Sequence, residues 1–179
     1  MAGSLIKIDE EIVTSAVASV TLGGANWDSS YDVYMVKLNN VQSASTSGSS
    51  NLIARVLTDG TAQTDSNYDN ASKGLWANGT FQNKSSTNQP EFIISGTGMD
   101  GTGTSESFNS IMYLFNFNNS SEYSFITLEN TSLNADAQLY GQQGGAVKTT
   151  AEANNGIEYK FLLSKNIASG TFTLYGLKK

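Results

Sequence analysis

Apolar and polar residues alternate along most of this chain, which is the pattern of strands with one buried face. The pattern is clearest in residues 170–177, where Phe172, Leu174 and Gly176 point to one side and Tyr175 to the other. A closing strand this regular predicts insertion of the C-terminal segment into a sheet, between earlier strands. Gly176, which has no side chain, should let a neighbouring backbone or ring come close to the Phe172 face.

The same alternation predicts further short strands, separated by clusters of Gly, Asn, Asp and Ser that form turns. The predicted strands are residues 17–22, 31–41, 52–57, 91–95, 109–117, 122–129, 137–140, 144–147, 157–163 and 170–177, while residues 68–76 permit either a strand or one turn of helix and are more similar to a strand. Residues 109–117 are apolar on both faces, which indicates a central strand, and they should pair with residues 122–129 in a β-hairpin. Residues 83–90 are polar throughout and are predicted to be loop.

About eight to ten short strands with hardly any helical window indicate one antiparallel β-sandwich. We place this domain at residues 17–179 and a short extended N-terminal arm at residues 1–16. The arm shows no sustained periodicity and is either a frayed end or an attachment segment that orders on a neighbouring subunit. Its candidate assembly residues are Leu5, Ile6, Ile8, Ile12 and Val13.

The net charge and the hydropathy of the chain argue against nucleic acid and membranes as partners. The chain has 179 residues, a net charge of −6 and only one arginine, Arg55, so it lacks the basic clusters that bind nucleic acid. No apolar run approaches the roughly 18 residues of a membrane-spanning helix. The N-terminal residues lack the basic start and apolar middle of a signal peptide, which predicts a protein made in the cytoplasm.

Histidine and cysteine are both absent. Their absence removes the Ser-His-Asp and Cys-His catalytic arrangements, the commonest general base and most zinc sites. We therefore predict that the protein is not an enzyme. A hydrolase working through two carboxylates is the residual alternative, although no pair of acids stands out.

Two loop features suggest ligands, and each has an ordinary explanation. The Gly/Thr-rich residues 96–104 resemble a phosphate-binding loop but lack its Gly-Lys-Ser/Thr ending and a following helix. Several loop acids offer the oxygen ligands that calcium prefers, but without EF-hand spacing. These acids are Asp28, Asp32, Asp59, Asp65 and Asp69. We expect no cofactor, with a divalent cation such as calcium as the alternative.

Trp27 and Trp76 stand next to Asn, Asp and Ala in loop-like surroundings. Aromatic rings in such a setting can stack on sugars, which makes these two residues candidate glycan-facing aromatics. The alternative is that both rings fill the ends of the sandwich core.

Several segments together resemble virion structural proteins of tailed bacteriophages, in particular those of marine phages and cyanophages. They are Tyr-Asp-Val-Tyr at residues 31–34, Leu-Ile-Ala-Arg-Val at 52–56, Asn-Tyr at 67–68 and Gly-Thr-Phe-Thr-Leu-Tyr-Gly at 170–176. The resemblance runs from about Val17 to the end. It implies a jelly-roll fold, display on the particle and homotrimeric assembly, and it carries no catalytic residues across.

The resulting expectation is a non-enzymatic structural protein of a phage virion, made in the cytoplasm of a bacterial host. The resemblance implies either a tail-fibre or baseplate appendage or a capsid decoration (cement) protein, with other virion proteins as partners. The alternative is a carbohydrate-binding module that recognises host surface glycans.

Overall fold

A computed structural model describes residues 4–45, 50–99, 106–133 and 137–178 of the chain. These residues form thirteen β-strands and one short 3-10 turn, η1 (Gly24–Asn26). The strands are β1 (Ser4–Val13), β2 (Val20–Gly23), β3 (Val33–Ser43), β4 (Leu52–Thr58), β5 (Thr61–Ala62), β6 (Tyr68–Trp76), β7 (Phe81–Gln89), β8 (Phe92–Ile93), β9 (Phe108–Phe115), β10 (Ser124–Leu133), β11 (Leu139–Lys148), β12 (Gly156–Phe161) and β13 (Ile167–Lys178).

Two antiparallel sheets pack against each other, which confirms the predicted all-β sandwich. The larger sheet has eight strands in the order β1-β13-β3-β9-β10-β11-β6-β7. The smaller sheet has the order β2-β12-β4-β5, and β8 also pairs with β4.

Eight of these strands have the connectivity of a jelly roll. They are β1, β13, β3 and β9 in the larger sheet and β2, β12, β4 and β8 in the smaller one. If these eight strands are numbered one to eight along the chain, their order across the larger sheet is 1-8-3-6. Their order across the smaller sheet is 2-7-4-5. This is the double Greek key of a jelly roll. The remaining strands β10, β11, β6 and β7 extend the larger sheet beyond β9, and β5 forms a short hairpin with β4.

The apolar core lies between the sheets, where the alternation of each strand directs every second side chain inward. In β9 and β10, for example, Met112, Leu114, Ile126 and Leu128 are at most 3% exposed. The smaller sheet contributes residues such as Tyr159, which is fully buried. Each such side chain stabilises the fold by about 1.5–3 kcal/mol relative to exposure.

Most predicted strands are confirmed, including the hairpin of β9 and β10. The first predicted strand begins later than expected, at Val20, while Val17 makes only an isolated bridge to Ile167. Of the loop predicted at residues 96–104, only residues 96–99 are described. The rest of the predicted loop lies outside the described residues.

The prediction of a loop at residues 83–90 is wrong, because most of that segment belongs to β7. This strand is polar, so its sequence lacks an apolar alternation. It is held instead by backbone pairing with β6, from Leu75↔Phe81 to Tyr68↔Gln89.

The N-terminal segment predicted as an arm at residues 1–16 is described from Ser4 onward. The segment is extended, as expected, but it forms β1 and pairs with β13 from Ser4↔Lys178 to Val13↔Gly170. Asp9 also accepts a hydrogen bond from the Gly23 backbone N–H at 2.8 Å, which ties β1 to the smaller sheet. Residues 4–13 are therefore an edge strand of the domain, and their role in assembly remains a prediction.

The closing strand β13 lies between β1 and β3, as predicted for an inserted terminal strand. The expectation for Gly176 is also confirmed, since a Cβ atom built there would fall on the ring of Tyr31.

Candidate interaction surface on the eight-stranded sheet

The side of the eight-stranded sheet that faces away from the smaller sheet, here called the outer face, is unusually apolar. On β9, Met112 and Leu114 point inward, whereas Ile111 and Tyr113 point outward and are 45% and 38% exposed. The central position predicted for β9 is confirmed, but no second sheet covers its other face in the described part of the chain. Ile111 and Tyr113 therefore have to be reassigned from the core to the surface.

The strand register gathers large apolar side chains on this face. Directly paired residues of antiparallel strands point to the same side of a sheet, so Phe125 stands beside Phe115 and Tyr113 beside Thr127. Eight of the eleven exposed large hydrophobic residues in the described chain belong to the outer face. They are Leu5, Ile12, Leu75, Phe81, Ile111, Tyr113, Phe125 and Leu139.

The outer face carries no net charge, although the chain as a whole is at −6. Among the described strand residues that point outward there are three lysines and three acids, Lys7, Lys37, Lys73, Glu10, Asp69 and Glu129. The excess of acids in the chain therefore lies elsewhere.

Four of the six charged groups of the outer face have side-chain partners within the face. Lys7 and Glu10 form a salt bridge at 2.9 Å. The hydrogen bond between them raises the pKa of Lys7 and lowers that of Glu10. Lys73 lies over the ring of Phe81, 5.0 Å from its centroid, and Gln143 donates a hydrogen bond to Glu129 at 2.7 Å. Paired charges of this kind reduce the desolvation cost of covering the surface.

Shallow depressions flank the exposed aromatic residues. One, of about 530 Å³, lies over Ala71 and Gly145, which are paired across β6 and β11 and leave space beside Phe125. Another, of about 340 Å³, is bordered by Ile111, Lys37 and Thr131. The outer face thus alternates raised rings with hollows, a relief into which side chains of a partner can pack.

Trp27 packs against the core rather than standing free. Its ring centroid lies 4.1 Å from that of Tyr34 and 5.9 Å from that of Phe117. The indole N–H donates to Asn118 Oδ1 at 2.8 Å, and the Asn118 amide donates to the Tyr34 hydroxyl at 2.6 Å. These contacts favour the interpretation that Trp27 closes one end of the sandwich core.

Trp76 lies at the opposite end of the sandwich. Its ring meets that of Tyr140 edge-on at 4.6 Å. The register places both residues in the same row across the sheet as Phe108, at the start of β9. Phe117, which contacts Trp27, follows the other end of β9. The two tryptophans therefore do not form one sugar-binding platform.

The five candidate assembly residues of the N-terminal segment have different environments. Leu5 and Ile12 are exposed on the outer face, at 50% and 63%. Ile8 packs partly against the core, and Val13 belongs to it with 8% exposure. Ile6 is exposed but pairs with Gly176 and so points to the other side of the sheet.

The candidate ligand sites of the loops receive little support. In the described ranges, no group of three or more acids is arranged to hold a metal ion. The divalent cation at the loop acids Asp28, Asp32, Asp59, Asp65 and Asp69 remains a prediction.

Sequence reasoning missed the outer face because it assigned Ile111 and Tyr113 to a strand buried on both sides. One signal was present. Phe125 shares its side of β10 with Thr127, Glu129 and Thr131, a mixture that is typical of a surface and not of a core.

Comparison with known proteins adds no assignment. No protein-family model matches the chain, and no curated protein matches it either. Within the described residues, no helix has the length and apolar character needed to span a membrane.

Proposed function

We propose that this chain is a non-enzymatic structural subunit of a tailed-phage virion and that it assembles with copies of itself through the outer face of the eight-stranded sheet. The observation that carries the proposal is the concentration of exposed large apolar residues on one neutral face. Monomeric proteins rarely expose large contiguous apolar patches, which mark interaction surfaces.

The exposed rings are of the type that dominates protein interfaces. Phe125 and Tyr113 lie on neighbouring strands and are 44% and 38% exposed. Aromatic anchors of this kind account for most of the binding energy in typical interfaces. Burial of the exposed 44% of Phe125 by a partner would contribute about 0.7–1.3 kcal/mol for each copy of the ring.

Charge favours another copy of the chain as the partner. Two acidic chains at −6 repel each other wherever their acids meet. The outer face has equal numbers of lysines and acids, so contact through this face brings no net like charge together. Leu5 and Ile12 of β1 would extend the same interface to the edge of the sheet.

Two observations support a virion role. The first is the sequence resemblance, whose most specific segment forms the closing strand β13. The second is the jelly-roll connectivity that this resemblance implies. On this proposal the assembly is a homotrimer, displayed as a tail-fibre or baseplate appendage or as capsid decoration.

Assembly through the outer face is tested by analytical ultracentrifugation of the wild type, Phe125→Glu and Leu163→Glu. The control residue Leu163 is 76% exposed and lies after β12, away from the outer face. We expect an oligomeric wild type and an oligomeric control. Phe125→Glu should weaken association at least about 30-fold, or about 2 kcal/mol, because the loss of the ring contact and the unpaired carboxylate in the interface act together.

A wild type that stays monomeric up to its solubility limit, or equal effects of the two glutamates, would overturn assembly through this face. The virion role has its own test. Particles purified from a culture whose phage genome encodes the chain should contain it in mass spectrometry and in a cryo-electron microscopy map. Its absence from the particles contradicts that role.

A further inference from the structure

The inner side of the β6–β7 extension carries a second feature, separate from the outer face. It is a cleft of about 350 Å³ between the extended sheet and the segment that follows β8. Ile93 of the short strand β8 lines the cleft from the smaller sheet, and Gly96 lines it from the segment that follows β8.

The side chains that line the cleft are mostly short and polar. Gly144 pairs with Ser72, and a Cβ at Gly144 would collide with that serine. On the wall, a Cβ at Gly96 would meet the Tyr140 hydroxyl and the Gln142 amide. The space is thus bounded by glycine backbone and by short polar groups.

The polar groups of the cleft are neutral and held in place. The Gln142 amide, on a residue that is only 4% exposed, donates to Ser72 Oγ at 2.8 Å. The Asn130 side-chain amide donates to Gln142 Oε1 at 3.2 Å and so holds the Gln142 amide in its orientation. Asn70 donates to Ser86 Oγ at 2.6 Å. Amides and hydroxyls both donate and accept hydrogen bonds, so this set matches the hydroxyl groups of a ligand.

Among the described residues that line the cleft, Lys84 has the only charged side chain. It pairs with Ser72 across β6 and β7 and therefore points to the inner side. No acid of the described residues forms a salt bridge with it. Partial burial lowers the pKa of Lys84, a sign that its charge is poorly compensated by the protein.

We propose that this cleft binds a hydroxylated monocarboxylate, of which a sugar acid is the simplest example. The Lys84 ammonium group pairs with the carboxylate. The amides and hydroxyls of Asn70, Ser72, Ser86 and Gln142 hydrogen-bond the ligand's hydroxyl groups. A charge-assisted bond of this kind is about twice as strong as a neutral one.

Charge limits the ligand to a single acidic group at the site. One lysine in a chain of net charge −6 would not hold a polyanion such as nucleic acid. It can balance one carboxylate.

An ordinary explanation exists for the same lysine. β7 is an edge strand of the sheet, and inward-pointing charges on edge strands protect against aggregation. On that explanation, Lys84 would affect solubility but no ligand would bind.

The test is a titration of the isotope-labelled full chain with glucuronic acid, its methyl ester and glucose, followed through backbone amide resonances by NMR. We expect glucuronic acid to shift the amides of Ser72, Lys84 and Gly96. It should bind at least about tenfold more tightly than the ester or glucose. An otherwise neutral oligosaccharide with one terminal glucuronic acid that binds more tightly than the monomer indicates a polysaccharide source, and equal binding indicates a free sugar acid.

Variants separate the two explanations of Lys84. Lys84→Met should lose at least about tenfold in affinity for glucuronic acid. Lys73→Met, on the neighbouring strand with its side chain on the outer face, should bind as the wild type does. Lys84→Gln also removes the charge but keeps a polar side chain on the edge strand β7. It replaces Lys84→Met in the titration if Lys84→Met aggregates.

Equal binding of acid and ester, shifts confined to other regions, or unchanged affinity in a folded Lys84→Gln would overturn the proposal. The cleft and the outer face lie on opposite sides of the sheet. Sedimentation of the same samples measures the oligomeric state independently of ligand binding. It therefore distinguishes failure of the ligand proposal from failure of the assembly proposal.

Discussion

At Gly176 the backbone of β13 passes close to the ring of Tyr31, and no side chain fits between them. That ring meets Tyr34 edge-on at 6.1 Å, and Tyr34 in turn packs on Trp27 at 4.1 Å. One glycine hydrogen thus permits the packing of a row of rings at the end of the sandwich. Close approach, and not turn formation, explains this glycine, since its backbone is extended as in the rest of β13.

Gly176→Ala should therefore destabilise the protein by about 1–3 kcal/mol, the usual cost of forcing extra volume into a packed site. Gly141→Ala is a matched control in another strand. Its Cβ would lie 3.7 Å from the Asn130 carbonyl oxygen, an ordinary contact. The control should be neutral or stabilising by up to about 1 kcal/mol. Urea denaturation measures both, and equal effects would contradict the packing explanation.

At the scale of the elements, β1 completes the larger sheet and fastens it to the smaller one. Its pairing with β13 has a register shift between Lys7 and Asp9. Beyond it, Asp9 accepts hydrogen bonds from the Gly23 N–H at 2.8 Å and from the Asn26 amide at 3.1 Å. Its charged residues also suit an edge strand, since charge discourages pairing with other chains.

Deletion of residues 1–13 should lower the stability of the domain. It uncovers the edge of β13, removes the Asp9–Gly23 bond and exposes the pocket of Val13, which is 8% exposed. Loss of the Val13 burial alone is about 2 kcal/mol, which corresponds to a melting temperature lower by roughly 4–8 °C.

Deletion of residues 1–3 alone is the control for this truncation, because it removes none of these contacts. Differential scanning calorimetry compares the three chains. A longer truncation that melts with the full chain would show that β1 is only loosely attached.

At the scale of the whole molecule, two insertions into a jelly roll produce both candidate surfaces. Strands β6 and β7 follow β4, and strands β10 and β11 follow β9, and all four join the same end of one sheet. The larger sheet is thereby doubled from four strands to eight, while the smaller sheet is not widened to match. The outer face becomes broad, and the inner side of the extension keeps a cleft.

Four fully buried tyrosines, spread over both sheets, should make the whole fold sensitive to alkaline pH. They are Tyr34, Tyr68, Tyr140 and Tyr159. Burial raises the pKa of each above its ordinary value. In the unfolded chain they ionise near pH ~10, while in the folded chain they keep their protons.

The unfolded state therefore binds fewer protons above pH ~10, and stability should fall there by up to about 1.4 kcal/mol per pH unit for each tyrosine. Below that pH the contribution is constant. Urea midpoints across the alkaline range, with tyrosinate absorbance, measure the effect. Tyr159→Phe should reduce the slope, because it removes one of the ionisable groups. It should cost little stability, because the Tyr159 hydroxyl has no hydrogen-bond partner among the described residues. Ionisation of all eight tyrosines without unfolding would contradict this prediction.

The sequence by itself determined most of the strands and that the fold is a sandwich, because alternation is a local property that each such strand carries in its own residues. For that reason the sequence alone predicted that β13 is an inserted strand and that a neighbouring group comes close to the backbone at Gly176. It failed at β7, whose polar residues form a strand only because β6 offers a backbone edge to pair with.

Only the tertiary structure decided which faces are covered. Ile111 and Met112 are both apolar, and nothing local tells which of them meets the smaller sheet. The cleft likewise depends on register, which brings Ser72, Lys84, Gly96 and Gln142 together from separate strands and a loop. Both surfaces exist because strands distant in the chain pair with each other, and pairing between distant strands is not encoded in the residues of either strand alone.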